Sequence, residues 1–142
     1  MITTSHLHPM LVHFPIALVA FGFLADLSSC IFKKEICLSK LGFYLLIAGT
    51  LAAMVAVFTG LFFTSSMSGT AADIKETHEL FAWITLSSLF VCSAFRIMLK
   101  IINKENTRLK WIAFLLYGIA AASVCITGYY GGILVYSYMM PL

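Results

Sequence analysis

The sequence predicts an all-α integral membrane protein, built as an up-down bundle of four transmembrane helices. Three observations predict it: 61% of the 142 residues are hydrophobic, only 11% are charged, and the apolar residues are gathered in four long stretches. A soluble domain carries about 25% charged residues, whereas about 20 consecutive apolar residues cross the hydrocarbon core of a bilayer. The length fits one domain, residues 1–142.

Four stretches are predicted to span the membrane, at about 10–32, 41–63, 78–99 and 111–131. Because main-chain polar groups must be satisfied within the lipid, and because the runs are too long for strands, each is predicted to be a helix. Asp73-Ile-Lys-Glu76 resembles a capping box, which places the start of the third helix near Asp73. The Gly131-Gly132 pair is expected to end the fourth helix and to turn 133–136 over the bundle.

The basic residues predict the orientation of the chain. Of nine Lys and Arg residues, all but Lys75 fall on one side: Lys33, Lys34, Lys40, Arg96, Lys100, Lys104, Arg108 and Lys110. The positive-inside rule then places the first and third connections in the cytoplasm, with both termini on the outer (periplasmic) side of a bacterial inner membrane. The expected partner is therefore the lipid bilayer, and the absence of a basic stripe interleaved with aromatics argues against nucleic acid.

The distinctive residue clusters all fall at the predicted outer end of the bundle. They are the segment His6–Pro15, the pair His78-Glu79, and the segment Gly128–Tyr136. The first two clusters contain every histidine of the chain: His6, His8, His13 and His78. Their co-location predicts one candidate site at that end.

The histidines allow four interpretations, which the residues alone leave open. His13 and His78 could supply the two axial imidazoles of a b-type haem held between the first and third helices. Alternatively, His8, His13 and His78 could bind Zn or Cu. The histidines could also relay protons beside a solute path, or simply meet water and headgroups at the interface.

Other residues are expected to shape this end of the protein or the packing of its helices. Pro9 and Pro15 are predicted to set the entry of the first helix. Asp26 and Arg96 lie toward the predicted cytoplasmic side, as an ion pair, with the arginine reaching the interface, or as part of a proton path. Small residues form one stripe on each of the second and fourth helices, for close packing or for a flat cofactor: Gly42, Gly49, Ala53, Ala56 and Gly60; Gly118, Ala121, Cys125, Gly128 and Gly132.

Taken together, these motifs resemble the domain of unknown function 2231 family of small four-helix bacterial membrane proteins. The resemblance covers essentially the whole chain and rests on His8–Leu18, Asp26, Thr59-Gly60, His78 and Thr127–Tyr136. The family is similar in layout to two-haem membrane cytochromes, and related domains occur beside c-type cytochrome modules. The resemblance therefore implies a haem, with membrane redox subunits or a c-type cytochrome as partners.

The leading functional hypothesis is a single-haem b-type electron-transfer protein with His13 and His78 as axial ligands. Histidines at one end only permit at most one such haem, and no other cofactor is predicted. The alternative is a non-enzymatic membrane subunit or small transporter, with a metal, solute or partner site in the same outer cluster. An enzyme is not expected, because no nucleophile elbow, paired carboxylates or phosphate-binding loop is found.

Overall fold

The computed structural model describes residues 7–32, 35–64, 66–103 and 107–138, and these form a bundle of long helices. The elements are α1 (Leu7–Leu11), α2 (His13–Ile31), α3 (Ile36–Phe63), α4 (Thr70–Ile101) and α5 (Thr107–Ser137). The all-α fold class is confirmed. The predicted positions of His6, Lys33, Lys34 and Lys104 lie outside the described residues.

The helices form two hairpins that close into a four-membered ring. The segments α2 and α3 pack closely along their length, as do α4 and α5, and the ring is completed by α3 against α4 and α2 against α5. Consequently α2 and α4 lie on a diagonal of the bundle. The end that carries His8 and His78 is called the histidine end, and the end that carries Lys40 and Lys100 is called the basic end.

The outside of the bundle is apolar, as a surface in contact with lipid requires. Large apolar side chains are well exposed there, including Phe21 at 67%, Phe62 at 66% and Phe90 at 61%. Four segments are long and apolar enough to cross a bilayer: Leu7–Ile31, Ile36–Phe63, Thr70–Ile101 and Arg108–Ser137. The chain is therefore a multi-pass membrane protein, since an exposed surface of this kind is tolerated in lipid and not in water.

The first span is interrupted once, at Val12, between α1 and α2. Pro15 has no N–H to donate to the carbonyl of Leu11, so one helical hydrogen bond is not made here. Hydrogen bonds nevertheless connect the two segments, since the N–H of Val12 donates to His8 O at 3.1 Å and the N–H of Ile16 donates to Val12 O at 3.5 Å. His8 therefore belongs to the same span as Asp26.

Two predicted helix ends are wrong. The third long helix, α4, begins at Thr70 rather than near Asp73, after Gly69 with a φ of 62°. The last helix, α5, does not end at Gly131-Gly132 but continues to Ser137. Within lipid an unbroken helix satisfies its own main chain, and Gly131 serves instead to make room for a side chain of α4, as shown below.

Asp26 and Arg96 form an ion pair across the interior near the basic end. The guanidinium donates to both carboxylate oxygens, and the Nη2–Oδ1 distance is 3.3 Å. Asp26 is only 6% exposed. It can lie there because α3 presents Gly42, where a Cβ atom would collide with the carboxylate. The glycine stripe of α3 therefore accommodates a charged group as well as a neighbouring helix.

This steric relation predicts that Gly42→Ala destabilises the bundle by about 1–3 kcal/mol, the usual cost of overpacking a filled interior. Gly132→Ala is the matched control, because a Cβ atom at Gly132 meets nothing within 4 Å. The control should unfold at the same temperature or slightly higher, since alanine favours a helix by up to about 1 kcal/mol over glycine. Thermal unfolding in detergent micelles measures both. Equal midpoints for the two variants would contradict the role assigned to Gly42.

Candidate functional site

Two histidines face each other across the diagonal of the bundle at the histidine end. The imidazole rings of His8 and His78 have centroids 6.2 Å apart, with their planes at 83°. His8 belongs to α1 and His78 lies about two turns into α4. The two spans that form the diagonal therefore meet here through their side chains.

The ring of His8 is fixed by α3. Its Nδ1 lies 3.0 Å from Ala56 O and 3.2 Å from Thr59 Oγ1. Gly60 lies beneath the ring, and a Cβ atom at that position would come within 3.0 Å of Cε1 of His8. Because a carbonyl oxygen only accepts, Nδ1 carries the ring proton.

The ring of His78 is fixed in the same way by α5. Its Nδ1 lies 3.0 Å from Thr127 O. Gly131 supplies the space, since a Cβ atom there would lie 3.1 Å from Cε1 of His78. The two histidines are thus held by equivalent contacts: a helical carbonyl binds Nδ1, and a glycine lies against Cε1.

This arrangement leaves the Nε2 atoms of both rings unused by the protein. Neither Nε2 has a hydrogen-bond partner among residues 7–32, 35–64, 66–103 and 107–138. With the proton on Nδ1, each Nε2 carries a lone pair that can bind a metal ion or accept a hydrogen bond. The site therefore offers two imidazole nitrogens that the described residues do not bind.

His13 is placed differently. It is exposed, and its Nδ1 lies 2.7 Å from Pro9 O in its own span. It follows His8 by five positions, which turns its side chain about 140° around the helix axis. The structure brings His8 together with His78, and it does not pair His13 with His78.

An open cavity of about 340 Å³ surrounds the two histidines, and its walls are mostly apolar. Every residue predicted for the site lines it apart from Asp26: His8, Pro9, His13, Pro15, Gly60, His78, Gly128, Gly131, Gly132 and Tyr136. Its volume lies at the lower end of the range for ligand pockets, roughly 300–1,000 Å³. The residues that the sequence places at one end are therefore gathered around one cavity.

On the side of the cavity toward the basic end, hydroxyl groups of α4 and α5 form hydrogen bonds with each other. Thr85 Oγ1 lies 2.8 Å from Ser123 Oγ and 3.2 Å from Thr127 Oγ1. Further along lie the wholly buried apolar side chains of Val19, Leu46 and Leu89, together with the buried hydroxyl pair of Thr50 and Ser93. These residues lie between the hydroxyls near the histidines and the Asp26–Arg96 pair.

A bare metal ion has few ligands here. Among the described residues, no group of three or more His, Cys, Asp and Glu side chains is arranged to hold one. The nearest acidic residue in sequence, Glu79, is exposed, and its Oε1 pairs with Lys75 Nζ at 3.7 Å. The geometry therefore gives no support to a Zn or Cu site built from His8, His13 and His78.

Two signals in the sequence indicate the observed pairing. A Thr-Gly dipeptide occurs in both α3 and α5, and each threonine lies beside one of the paired histidines: Thr59 beside His8 and Thr127 beside His78. In addition, His8 and Asp26 are separated by the same number of residues as His78 and Arg96. Equal offsets on two spans that run in the same direction indicate two matched pairs, and His13 does not fit this spacing.

The chain belongs to the DUF2231 family, described as "Predicted membrane protein". The family model matches residues 4–141, which include all the elements described above. Neither the curated proteins nor the solved structures contain a match to the chain. Family membership therefore supports a membrane protein and leaves its activity to be argued from the site.

The contacts of Nδ1 predict the ring tautomers of His8 and His78. Both neutral imidazoles should carry the proton on Nδ1 and leave Nε2 unprotonated, because each Nδ1 faces a main-chain carbonyl. The ¹⁵N chemical shifts of histidine-labelled protein in detergent or lipid measure this directly. His8→Ala and His78→Ala assign the resonances. Protonation of Nε2 in the neutral form of either ring would contradict the proposed hydrogen bonds.

Proposed function

We propose that this chain is a single-haem b-type electron-transfer protein, with His8 and His78 as the axial ligands. The observation that carries the proposal is the pair of facing imidazoles, each fixed at Nδ1 by a helical carbonyl. A bound haem supplies one-electron oxidation and reduction at its iron. The protein supplies the two nitrogens, the apolar surroundings and the position relative to the membrane surface.

The contacts at Nδ1 of both rings are those of metal ligands. A histidine that binds a metal usually donates its other ring N–H to a carbonyl or carboxylate, which fixes the ring and raises the basicity of the ligating nitrogen. His8 and His78 both have this partner, in Ala56 O and Thr127 O. The free Nε2 atoms are therefore prepared to ligate.

The spacing of the rings also suits one ion between them. Metal–imidazole bonds of about 2 Å place two opposed nitrogens about 4 Å apart, and each ring centre lies a ring radius further away. The observed centroid separation of 6.2 Å leaves this space. Rings in van der Waals contact through their faces would not.

A haem fits these ligands better than a bare ion does. Structural zinc sites take four protein ligands and catalytic zinc sites take three, whereas the geometry offers two. A porphyrin brings its own four nitrogens and requires only the two axial imidazoles. Gly60 and Gly131 lie against the two imidazoles, and Gly128 lies against Ile16, so these glycines fix the side chains that border the open cavity.

The histidine end is proposed to face the periplasm of a bacterial inner membrane. The described basic residues support this orientation, because Lys40, Lys100, Arg108 and Lys110 lie at the other end. Electron exchange would then occur with membrane redox subunits or a c-type cytochrome at the outer surface.

An absorption spectrum of the purified protein from haem-supplied cells tests the function. The wild-type protein should show a Soret band and the sharp α band of a six-coordinate haem in its reduced form. His8→Ala and His78→Ala should each lose the haem or convert it to a five-coordinate form. His13→Ala is the matched control and should leave the spectrum unchanged, because His13 is turned onto its own span.

The outcomes separate the alternatives. A protein without a Soret band overturns the proposal, and co-purification of colourless protein with other membrane subunits would favour a non-enzymatic subunit instead. Loss of haem in His13→Ala but not in His8→Ala would restore His13 as the partner of His78. Stoichiometric Zn or Cu, lost in His13→Ala, would point to a metal site without porphyrin.

Thiol labelling tests the orientation. Glu35→Cys lies at the basic end and Ser68→Cys at the histidine end, and both positions are exposed. In a variant without the native cysteines, a membrane-impermeant maleimide added to spheroplasts should label Ser68→Cys and should reach Glu35→Cys only after permeabilisation. Labelling in the reverse order would place the histidine end in the cytoplasm.

A further inference from the structure

The two polar pairs on the diagonal of the bundle are in register with each other. The number of residues from His8 to Asp26 equals the number from His78 to Arg96. This offset makes about five complete helical turns, a rise of roughly 27 Å. His78 and Arg96 therefore lie on one face of the unbroken helix α4, and His8 and Asp26 reach that face from the first span.

These pairs join spans that otherwise have little contact. The main packing of α2 is against α3 and α5, and the main packing of α4 is against the same two helices. Across the diagonal, Arg96 binds Asp26 near the basic end, and His8 faces His78 near the histidine end. Apolar packing along the ring tolerates small sliding movements, whereas a bidentate ion pair in an apolar interior does not.

The surroundings of the ion pair are shaped for it. Gly42 leaves the space that the Asp26 carboxylate occupies, and a Cβ atom at Gly22 would collide with the Tyr117 hydroxyl next to it. Asp26 is 6% exposed, and the Arg96 side chain is 14% exposed. A slip of one helical turn would move the partners apart by about 5 Å. It would leave two charges unpaired in the membrane interior, which costs several kcal/mol.

We infer that the Asp26–Arg96 pair is a register clamp, which sets the axial and rotational position of the first span against α4 and thereby places His8 opposite His78. Both residues act on the site only through the helices that carry them, so they are positioning residues. The inference concerns the protein without a cofactor, and it holds whether or not the proposed haem binds.

Cross-linking tests the clamp without any cofactor. In a variant without the native cysteines, His8→Cys and His78→Cys should be joined in high yield by a short thiol cross-linker. Met10→Cys with His78→Cys is the control pair for background, because Met10 is 57% exposed on another face of α1. The yields are compared in membranes at equal protein and reagent concentration.

The decisive change removes both charges together. Asp26→Leu with Arg96→Met replaces the pair by apolar side chains, a change that often leaves a buried site as stable as before. We expect this double variant to keep its unfolding temperature while the cross-linking yield falls severalfold, to that of the control pair. Arg96→Lys keeps the charge but loses the bidentate contact, so its yield should fall between those of the parent and the double variant.

A second substitution separates the clamp from polar packing in general. Thr50 and Ser93 form a buried hydroxyl pair between α3 and α4, with their oxygens 2.8 Å apart. Thr50→Val with Ser93→Ala removes that pair and should leave the yield at positions 8 and 78 unchanged. A fall equal to that of the Asp26→Leu, Arg96→Met variant would overturn the inference.

The remaining outcomes are also decisive. Full cross-linking in the Asp26→Leu, Arg96→Met variant overturns the clamp, and background cross-linking in the parent shows that positions 8 and 78 do not face each other. If the double variant does not fold, Asp26→Asn, which keeps the shape of the side chain, decides by the same comparison. If cross-linking confirms the clamp and the purified protein is colourless, the haem proposal is refuted. The inference about the helix register then still holds.

Discussion

The ion pair between Asp26 and Arg96 is the interaction on which the arrangement of the described helices depends. Each helix is mostly apolar on both its outer and its inner face. The outer face contacts lipid, and the inner face contributes core side chains such as Val19 and Leu89. Lipid offers no hydrophobic driving force that distinguishes one helix orientation from another. A buried, two-point ionic contact supplies that distinction, because its loss leaves charges unpaired.

Glycines in this bundle make room for polar side chains as well as for neighbouring helices. Gly42 lies against Asp26, Gly60 against His8 and Gly131 against His78. In each case the glycine is on the neighbouring helix and the polar side chain fills the space where its Cβ would be. A stripe of small residues therefore brings two helices together and, at chosen levels, lets one of them place a polar group in the interior.

The four spans can be predicted from composition, because only long apolar helices satisfy the main chain in lipid. The positions of the helix ends are predicted less accurately than the spans. Gly131-Gly132 has the sequence of a helix end, yet α5 continues, since Gly131 faces His78 and the unbroken helix keeps its main-chain bonds. Local propensity is here overruled by a contact with another helix, which a single sequence does not display. The histidine pair illustrates the same limit.

His8 and His13 lie on one span at positions about 140° apart, so they cannot both face His78 in the same way, but composition does not say which one does. The contact of His8 with Ala56 and Thr59 decides it. The separation of the two polar pairs then bears on what the histidine end can do. About five turns of helix lie between the imidazoles and the ion pair. The ion pair can therefore fix the geometry of the imidazoles mechanically while its charges remain too distant to act on them strongly. Such a division suits a ligand site that must keep two nitrogens at a set distance in a surrounding of fluid lipid.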